Sequence, residues 1–156
     1  MQGWICIPIQ DEHGALVAYT GRQASDAVPR GVPKYILPRG FEKRRILFNL
    51  HRVLSAEHLV IVEGYWSVFR LHTLGLHSVA LMGRALFTEQ ETLLKQSGVR
   101  RLTLMLDGDR PGREATGELL PRLAARFFVR VIHLPDGAQP DTVPEQFLID
   151  ALSRSR

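Results

Sequence analysis

Apolar positions along this chain fall into two regimes. Before about residue 46 they form two short β-type runs, Ile5-Cys6-Ile7-Pro8-Ile9 and Ala15-Leu16-Val17-Ala18-Tyr19. The polar cluster Gln10-Asp11-Glu12-His13-Gly14 between them is turn chemistry, so the spacing predicts a β-hairpin. Pro8 has no N–H for a ladder, which makes its run an edge strand or a bulged one. Gly21 to Arg45 is rich in glycine, proline and basic residues and predicts a mostly irregular loop. Loops of that length in compact domains usually serve a function or stay disordered.

After residue 46 helical and strand periods alternate. Leu47, Leu50, Val53 and Leu54 recur at helical spacing, and the unbroken apolar run near Leu59–Val62 reads as a buried strand. Val68, Leu71 and Leu74 line one face of a helix over Ser67–Leu74, closed by Gly75. His77–Leu81 predicts a second strand. Thr88 is the expected N-cap of a helix over Glu89–Gln96, with Glu91 in the capping-box position. Arg101–Leu106 predicts a third strand, Arg113–Arg126 a helix strained by Pro121, and Phe128–Leu134 a fourth strand. A last helix runs from about Pro144 to Leu152, its proline tolerated in the first turn. Four strands joined by helices imply a parallel sheet with right-handed crossovers. The expected fold class is therefore α/β, a four-stranded parallel sheet flanked by helices. A small β-hairpin and basic-loop subdomain over 1–56 precedes the main domain at 57–152.

The strand ends carry the chemistry. Val60-Ile61-Val62 runs into Glu63-Gly64-Tyr65, and Leu104-Met105-Leu106 runs into Asp107-Gly108-Asp109. Ligands of parallel α/β sheets collect outside the carboxyl ends of the strands. Carboxylates gathered there raise one another's pKa, a conflict that a hard divalent cation with oxygen ligands removes. If the extended geometry continues through Gly108, Asp107 and Asp109 project to one side, about 7 Å apart. Pro111-Gly112 then turns the chain into a helix whose N-terminus favours an anion, with Arg110 and Arg113 in reach of phosphate. Asp-Gly is also ordinary solvated turn chemistry. Glu63 at the end of a second strand tips the reading towards a Mg²⁺-dependent phosphate-chemistry site.

Composition narrows the partners. With 156 residues, 45% of them hydrophobic, the chain suits one soluble domain with a real core. No apolar stretch approaches the ~20 residues needed to cross a bilayer, and the start lacks the features of a secretory signal. The cytoplasm is the default compartment, with no membrane partner. The single cysteine, Cys6, is expected as a small buried hydrophobe, and no Cys/His spacing matches a zinc site. The net charge of +4 is unevenly spread. Between Thr20 and Arg52, eight basic residues face only Asp26 and Glu42. A solvated loop is one account of that stretch. A nucleic-acid or nucleotide-phosphate surface is the better one, because the charge sits just upstream of the acidic strand ends. Trp4, Phe127, Phe128 and Phe147 are expected in the core, whereas Tyr65 and Trp66 follow Glu63 towards the site.

Taken in order, three segments resemble the Toprim domain of bacterial DnaG-type DNA primases. They are Glu63-Gly64-Tyr65, the strand end Val79-Ala80-Leu81-Met82-Gly83, and Leu106-Asp107-Gly108-Asp109-Arg110-Pro111-Gly112. Upstream, Ile7-Pro8-Ile9, Gly14, Gly21-Arg22, Lys34-Tyr35, Phe41-Glu42-Lys43 and Leu47-Phe48-Asn49-Leu50 resemble the section that precedes Toprim in primase catalytic cores. The likeness covers about Ile5 to Leu148.

The resemblance implies a two-metal nucleotidyl transfer that synthesises primers. Glu63, Asp107 and Asp109 would hold Mg²⁺ or Mn²⁺, with Asp141 as a further ligand and Glu63 assisting proton transfer. Arg22, Lys34, Lys43 and Arg110 would face nucleotide or template. The partners implied are single-stranded DNA, nucleoside triphosphates, and a replicative helicase or other primase domains. Two departures stand out. Ser67 occupies a position that is usually acidic in the family, where it is expected to cap the following helix. Gln139-Pro140-Asp141 replaces an Asp-Pro-Asp turn, and the loss of two carboxylates should weaken a second metal more than the first. The amino-terminal half of a primase core and its zinc-binding domain are not represented, so a domain of a longer protein, a partner-dependent subunit or a reduced mobile-element relative is expected. A Toprim metal-dependent nuclease and a non-catalytic single-stranded-DNA-binding domain of a replication or mobile-element protein remain open beside primer synthesis. A haloacid-dehalogenase-like phosphatase fits less well, since its Asp-x-Asp normally follows the first strand.

Overall fold

The computed structural model describes residues 3–25 and 31–153, so Asp26 and Arg30 of the basic stretch lie outside the described residues. The hairpin forms as expected. β1 (Trp4–Gln10) pairs antiparallel with β2 (Leu16–Gln23), and Asp11 Oδ1 closes the turn by accepting from the N–H groups of His13 and Ala15. β1 is the edge of its sheet, where Pro8 is tolerated. The stretch after Gly21 is less irregular than its composition suggests. It contributes a two-residue strand, β3 (Tyr35–Ile36), to the other side of β2, and a 3₁₀ turn at Lys43–Arg45.

The second sheet is parallel, with order β5-β4-β6-β7: β4 is His58–Val62, β5 Ser78–Ala80, β6 Arg101–Leu104 and β7 Phe128–Val131. Helices α1 (Tyr65–Thr73), α2 (Thr88–Gln96) and α3 (Arg110–Ala124) connect the strands, and α4 (Glu145–Ser153) follows. β4 comes first in the chain yet lies inside the sheet, with β5 on one side and β6 on the other. The connections from β4 and from β6 leave in opposite directions. That arrangement opens a crevice at their carboxyl ends.

Strand alternation divides the core in two. Val60, Val62, Met105 and Ile132 pack with Val68 and Leu71 of α1, with Leu148 and Leu152 of α4, and with Ile7, Ile9 and Ala18 of the hairpin. Leu59, Ile61, Leu102 and Leu104 face Leu93 and Leu94 of α2 and Leu119 and Leu123 of α3. Among the described residues no helix is long and apolar enough to cross a membrane.

Several sequence expectations need correcting. No helix forms over Leu47–Leu54. Asn49 takes a left-handed φ of 73°, Phe48 bridges antiparallel to Ala80, and only Leu50–Arg52 makes a 3₁₀ turn. Leu47, Leu50 and Val53 are buried all the same, because a three-residue spacing serves a 3₁₀ turn as well as a helix. Thr88 is not the N-cap of α2: Phe87 is, and Gln90 Oε1 accepts from the Phe87 N–H at 3.0 Å. α3 begins at Arg110 rather than Arg113, because Asp109 caps it. Ser67 does not cap α1 but sits within it, after the N-cap Gly64. Cys6 and Phe128 are exposed. Cys6 alternates with the buried Ile7 and so points outwards, and Phe128 begins β7 before the apolar cluster starts at Ile132.

Candidate active site at the strand ends

A cleft of about 340 Å³ opens where the sheet geometry places it. Glu63, Ser67, Asp107, Gln139 and Asp141 line it together with Arg22 and Lys34 from the hairpin sheet and its loop. Tyr65 and Trp66 also line it, as their position after Glu63 suggests.

Glu63 stitches the strand ends together. It directly follows β4, its Oε1 accepts the Asp107 N–H at 3.1 Å, and its carbonyl accepts the Gly83 N–H at 3.1 Å. Two glycines permit the close approach of neighbouring chain segments. A Cβ on Gly112 would collide with the Asp107 carbonyl and press on Glu63 Oε1, and one on Gly108 would collide with the Pro135 carbonyl. The Gly108 N–H and carbonyl are instead bonded to Ala138 O at 2.8 Å and Gly137 N at 3.1 Å, which fixes the loop that carries Gln139.

The carboxylates do not share one environment. Asp107 enters the cleft, where its Oδ2 accepts from Gln139 Nε2 at 2.7 Å. Asp141 Oδ1 accepts from Ser67 Oγ at 2.9 Å. Asp109 turns aside to cap α3, its Oδ1 accepting the Gly112 N–H at 2.7 Å, and it does not line the cleft. Its charge is still felt. Burial, then the charges of Asp107 and Asp109, push the Glu63 pKa up to about 7, against the Asp107 N–H bond and the Arg84 charge. Asp107 is likewise raised, chiefly by burial and then by Asp109 and Asp141. The Gln139 hydrogen bond and Lys34 oppose that rise.

The basic residues also divide. Arg22 is buried, with its guanidinium carbon 5.3 Å from the centre of the Trp66 ring and Nη1 donating to Gln23 O at 2.6 Å. Lys34 reaches the cleft. Lys43 holds the turn after β5, its Nζ donating to Met82 O at 3.1 Å beside Gly83 at φ +142°. Arg110 lies outside the cleft and pairs with Glu114 at 2.8 Å, while Arg113 pairs with Asp136 and donates to Gly108 O.

Sequence reasoning missed Gln90, which is fully buried in α2. It donates to Ile46 O at 2.8 Å and so ties α2 to the segment leading into the sheet. The one available signal was a polar residue at the helical spacing of Leu93 and Leu94. For Ser67 and Gln139 the signal was their departure from an acidic pattern.

The donor set fits a hard divalent cation in its chemistry: the donors are all oxygen, and Glu63 and Asp107 titrate high because nothing positive enough offsets their burial. It is not a closed nest. Among the described residues no three His, Cys, Asp or Glu side chains gather closely enough to hold a metal ion. Mg²⁺ sites commonly use one or two carboxylates and let substrate phosphates complete the shell.

Fold and site together define an α/β protein with an acidic crevice at the carboxyl ends of a parallel sheet. The chain belongs to the Toprim-like family, whose model matches residues 60–143. It is similar to the DNA primase of Staphylococcus epidermidis, 36% identical over 145 residues that cover 88% of this chain and 24% of that protein. It is also similar to the zinc-binding and RNA polymerase domains of Aquifex aeolicus primase (TM-score 0.80, 32% identity, 97% of this chain and 39% of that one). A DnaG primase catalytic domain bound to single-stranded DNA is a further neighbour (TM-score 0.79, 27% identity, 97% and 50% of the two chains). The chain spans about a quarter of the length of the curated relatives it matches.

Proposed function

We propose that this chain is the catalytic-core portion of a primase, synthesising short primers from nucleoside triphosphates on single-stranded DNA. The observation that carries the proposal is the meeting of Glu63 and Asp107 at the ends of adjacent parallel strands, in a cleft that Arg22 and Lys34 also line. The kinship to DNA primases supports it. Residues 1–56 then act as a template-facing subdomain and 57–152 as the metal-holding domain. A cytoplasmic setting belongs to the same proposal, with a replicative helicase or further primase domains as partners.

Glu63 and Asp107 are the pair assigned to Mg²⁺ or Mn²⁺, and Asp109 and Asp141 would join them only by leaving Gly112 and Ser67, the partners they hold without the cation. When bound, the cation would offset charge developing at the attacking 3′-oxygen and on the departing pyrophosphate. Lys34 and Arg22 hold the triphosphate or template opposite the acids, and Lys43 supports the turn behind them. In the transfer the 3′-oxygen forms a bond to the α-phosphorus as the bond to pyrophosphate breaks. Glu63 Oε1 is engaged by the Asp107 N–H, which leaves Oε2 to accept the 3′-hydroxyl proton.

Primer synthesis on a single-stranded template, followed with a labelled nucleotide in Mg²⁺, tests the assignment. Glu63→Gln and Asp107→Asn are each expected to lower the rate about 100-fold or more. Unchanged product, or identical Mn²⁺ affinity in both variants by calorimetry, would remove its basis. Ser67 and Gln139, neutral where the family pattern is acidic, favour one alternative, a non-catalytic strand-binding domain. Full-strength strand binding in EDTA with no primer product would select it, and cleavage of the strand in Mn²⁺ without nucleotides would select a nuclease.

A further inference from the structure

Phe128 begins β7 with 80% of its surface exposed, and the register sets it among cations. Arg101 of β6 is its cross-strand partner, and Arg130 lies two residues along on the same side, opposite Thr103. His58 of β4 stands opposite Arg101. These side chains line a groove of about 350 Å³ at the amino ends of β4, β6 and β7. Alternation puts the groove on the side that α1 and α4 cover further along, where the core begins at Val60, Met105 and Ile132.

Among the described residues, the charges that act on the groove's histidine are positive. His58 Nε2 shares a 2.8 Å hydrogen bond with Thr103 Oγ1. Its pKa is lowered first by burial and then by Arg101, Arg130 and His77, so the ring stays neutral while positive charge surrounds it. The adjacent Arg100 is exposed. No ion pair among the described residues takes up Arg100 or Arg101. Glu57, the nearest acid in the chain, gives its backbone carbonyl to the N–H groups of both.

We propose that this groove is a second contact for single-stranded DNA, in which a base stacks on Phe128 and neighbouring phosphates meet Arg101 and Arg130. An exposed aromatic flanked by arginines on an open sheet suits a single strand, because every base offers a π-face and the cations follow the backbone. A duplex hides its bases and gains only the phosphate part. An acidic protein segment would satisfy the cations and leave the ring face unused. The groove lies at the other end of β4 from Glu63, about 17 Å along the strand, so it does not overlap the cleft. The proposal does not depend on the chemistry assigned to the cleft.

Anisotropy of a fluorescein-labelled oligothymidylate, read in EDTA at low salt, tests it on the whole chain. Phe128→Ala is expected to weaken binding about 5- to 150-fold and Phe128→Trp to preserve it. Arg101→Ala should lower affinity and reduce the salt slope by about 0.7. Phe128 is mostly in water, so its replacement leaves the fold intact. Photocrosslinking of a strand carrying 5-iodouracil gives a second readout, with an adduct expected on the peptide containing Phe128. Unchanged affinity in Phe128→Ala, adducts confined to the cleft, or equal competition by a duplex would each overturn the proposal. So would a dimer that Phe128→Ala dissolves while strand binding survives, since a second copy would then own the face. Unchanged primer synthesis in Asp107→Asn, with Phe128-dependent binding intact, would count against the cleft assignment alone.

Discussion

Glu63 is the residue on which the site turns, and its proton makes it testable without substrate. Its folded pKa of about 7 lies above the ordinary 4.5, because burial and the charge of Asp107 disfavour the ionised form. The folded state therefore holds this proton more tightly than the unfolded state does. The resulting contribution to stability is complete below pH 4.5 and is lost as pH rises through about 7. In EDTA the melting temperature should fall across that window, by an amount that solvent screening of a half-buried group keeps modest. Glu63→Gln, which retains an oxygen for the Asp107 N–H, should flatten that part of the profile. An unaltered profile would show that the carboxyl is not strained. The sequence displayed Glu63 and Asp107 because apolar runs end abruptly at both. It could not display Gln139 on Asp107 or Ser67 on Asp141, which join positions 32 and 74 residues apart. Only the fold brings those pairs within bonding distance.

At the level of elements, α3 shows how one segment serves both helix and site. Asp109 caps the helix by accepting the Gly112 N–H, and Gly112 has no side chain because the Asp107 carbonyl occupies that space. The two requirements separate under substitution. Asp109→Ala should lower stability by about 1 kcal/mol through loss of the cap, whereas Asp109→Ser should keep the cap and remove only the charge. Chemical denaturation of the two variants, set beside their Mn²⁺ affinities, divides capping from ligation. Equal stability in both would deny Asp109 the capping role. Gly112→Ala should destabilise despite alanine's better helix propensity. The clash costs about 1–3 kcal/mol, against at most about 1 kcal/mol gained. A more stable Gly112→Ala would mean that the Asp107 strand end yields easily. Strands were easier to read than helix ends, since a buried run needs only apolar residues in sequence. The segment around Asn49 misled because Leu47, Leu50 and Val53 have helical spacing while the backbone turns left-handed between them.

The whole molecule rests on a core that both sheets share. Ile7, Ile9 and Ala18 of the hairpin sheet belong to the same cluster as Val60, Val62 and Met105 of the parallel sheet and Tyr65 of α1. Alternation in the sequence told that the hairpin has an apolar face but not which surface that face covers. This union sets how the cleft residues are placed relative to one another, because Arg22 and Lys34 are held by the hairpin sheet and its loop while Glu63 and Asp107 are held by the parallel one. If the union is tight, the two parts cannot melt separately. Each contains one tryptophan, Trp4 on β1 and Trp66 on α1, so replacing either with phenylalanine leaves a reporter for the other part. Both reporters should follow one urea transition that coincides with the loss of circular dichroism. Ile9 is fully buried at the junction, and Ile9→Ala should cost about 2–5 kcal/mol and move both transitions together. Were Trp4 to respond at lower urea while Trp66 held its midpoint, the hairpin would be a separately melting lid. The cationic wall of the cleft would then be set by a ligand, and no longer by the packing of Ile7 and Ile9 against Val60 and Val62.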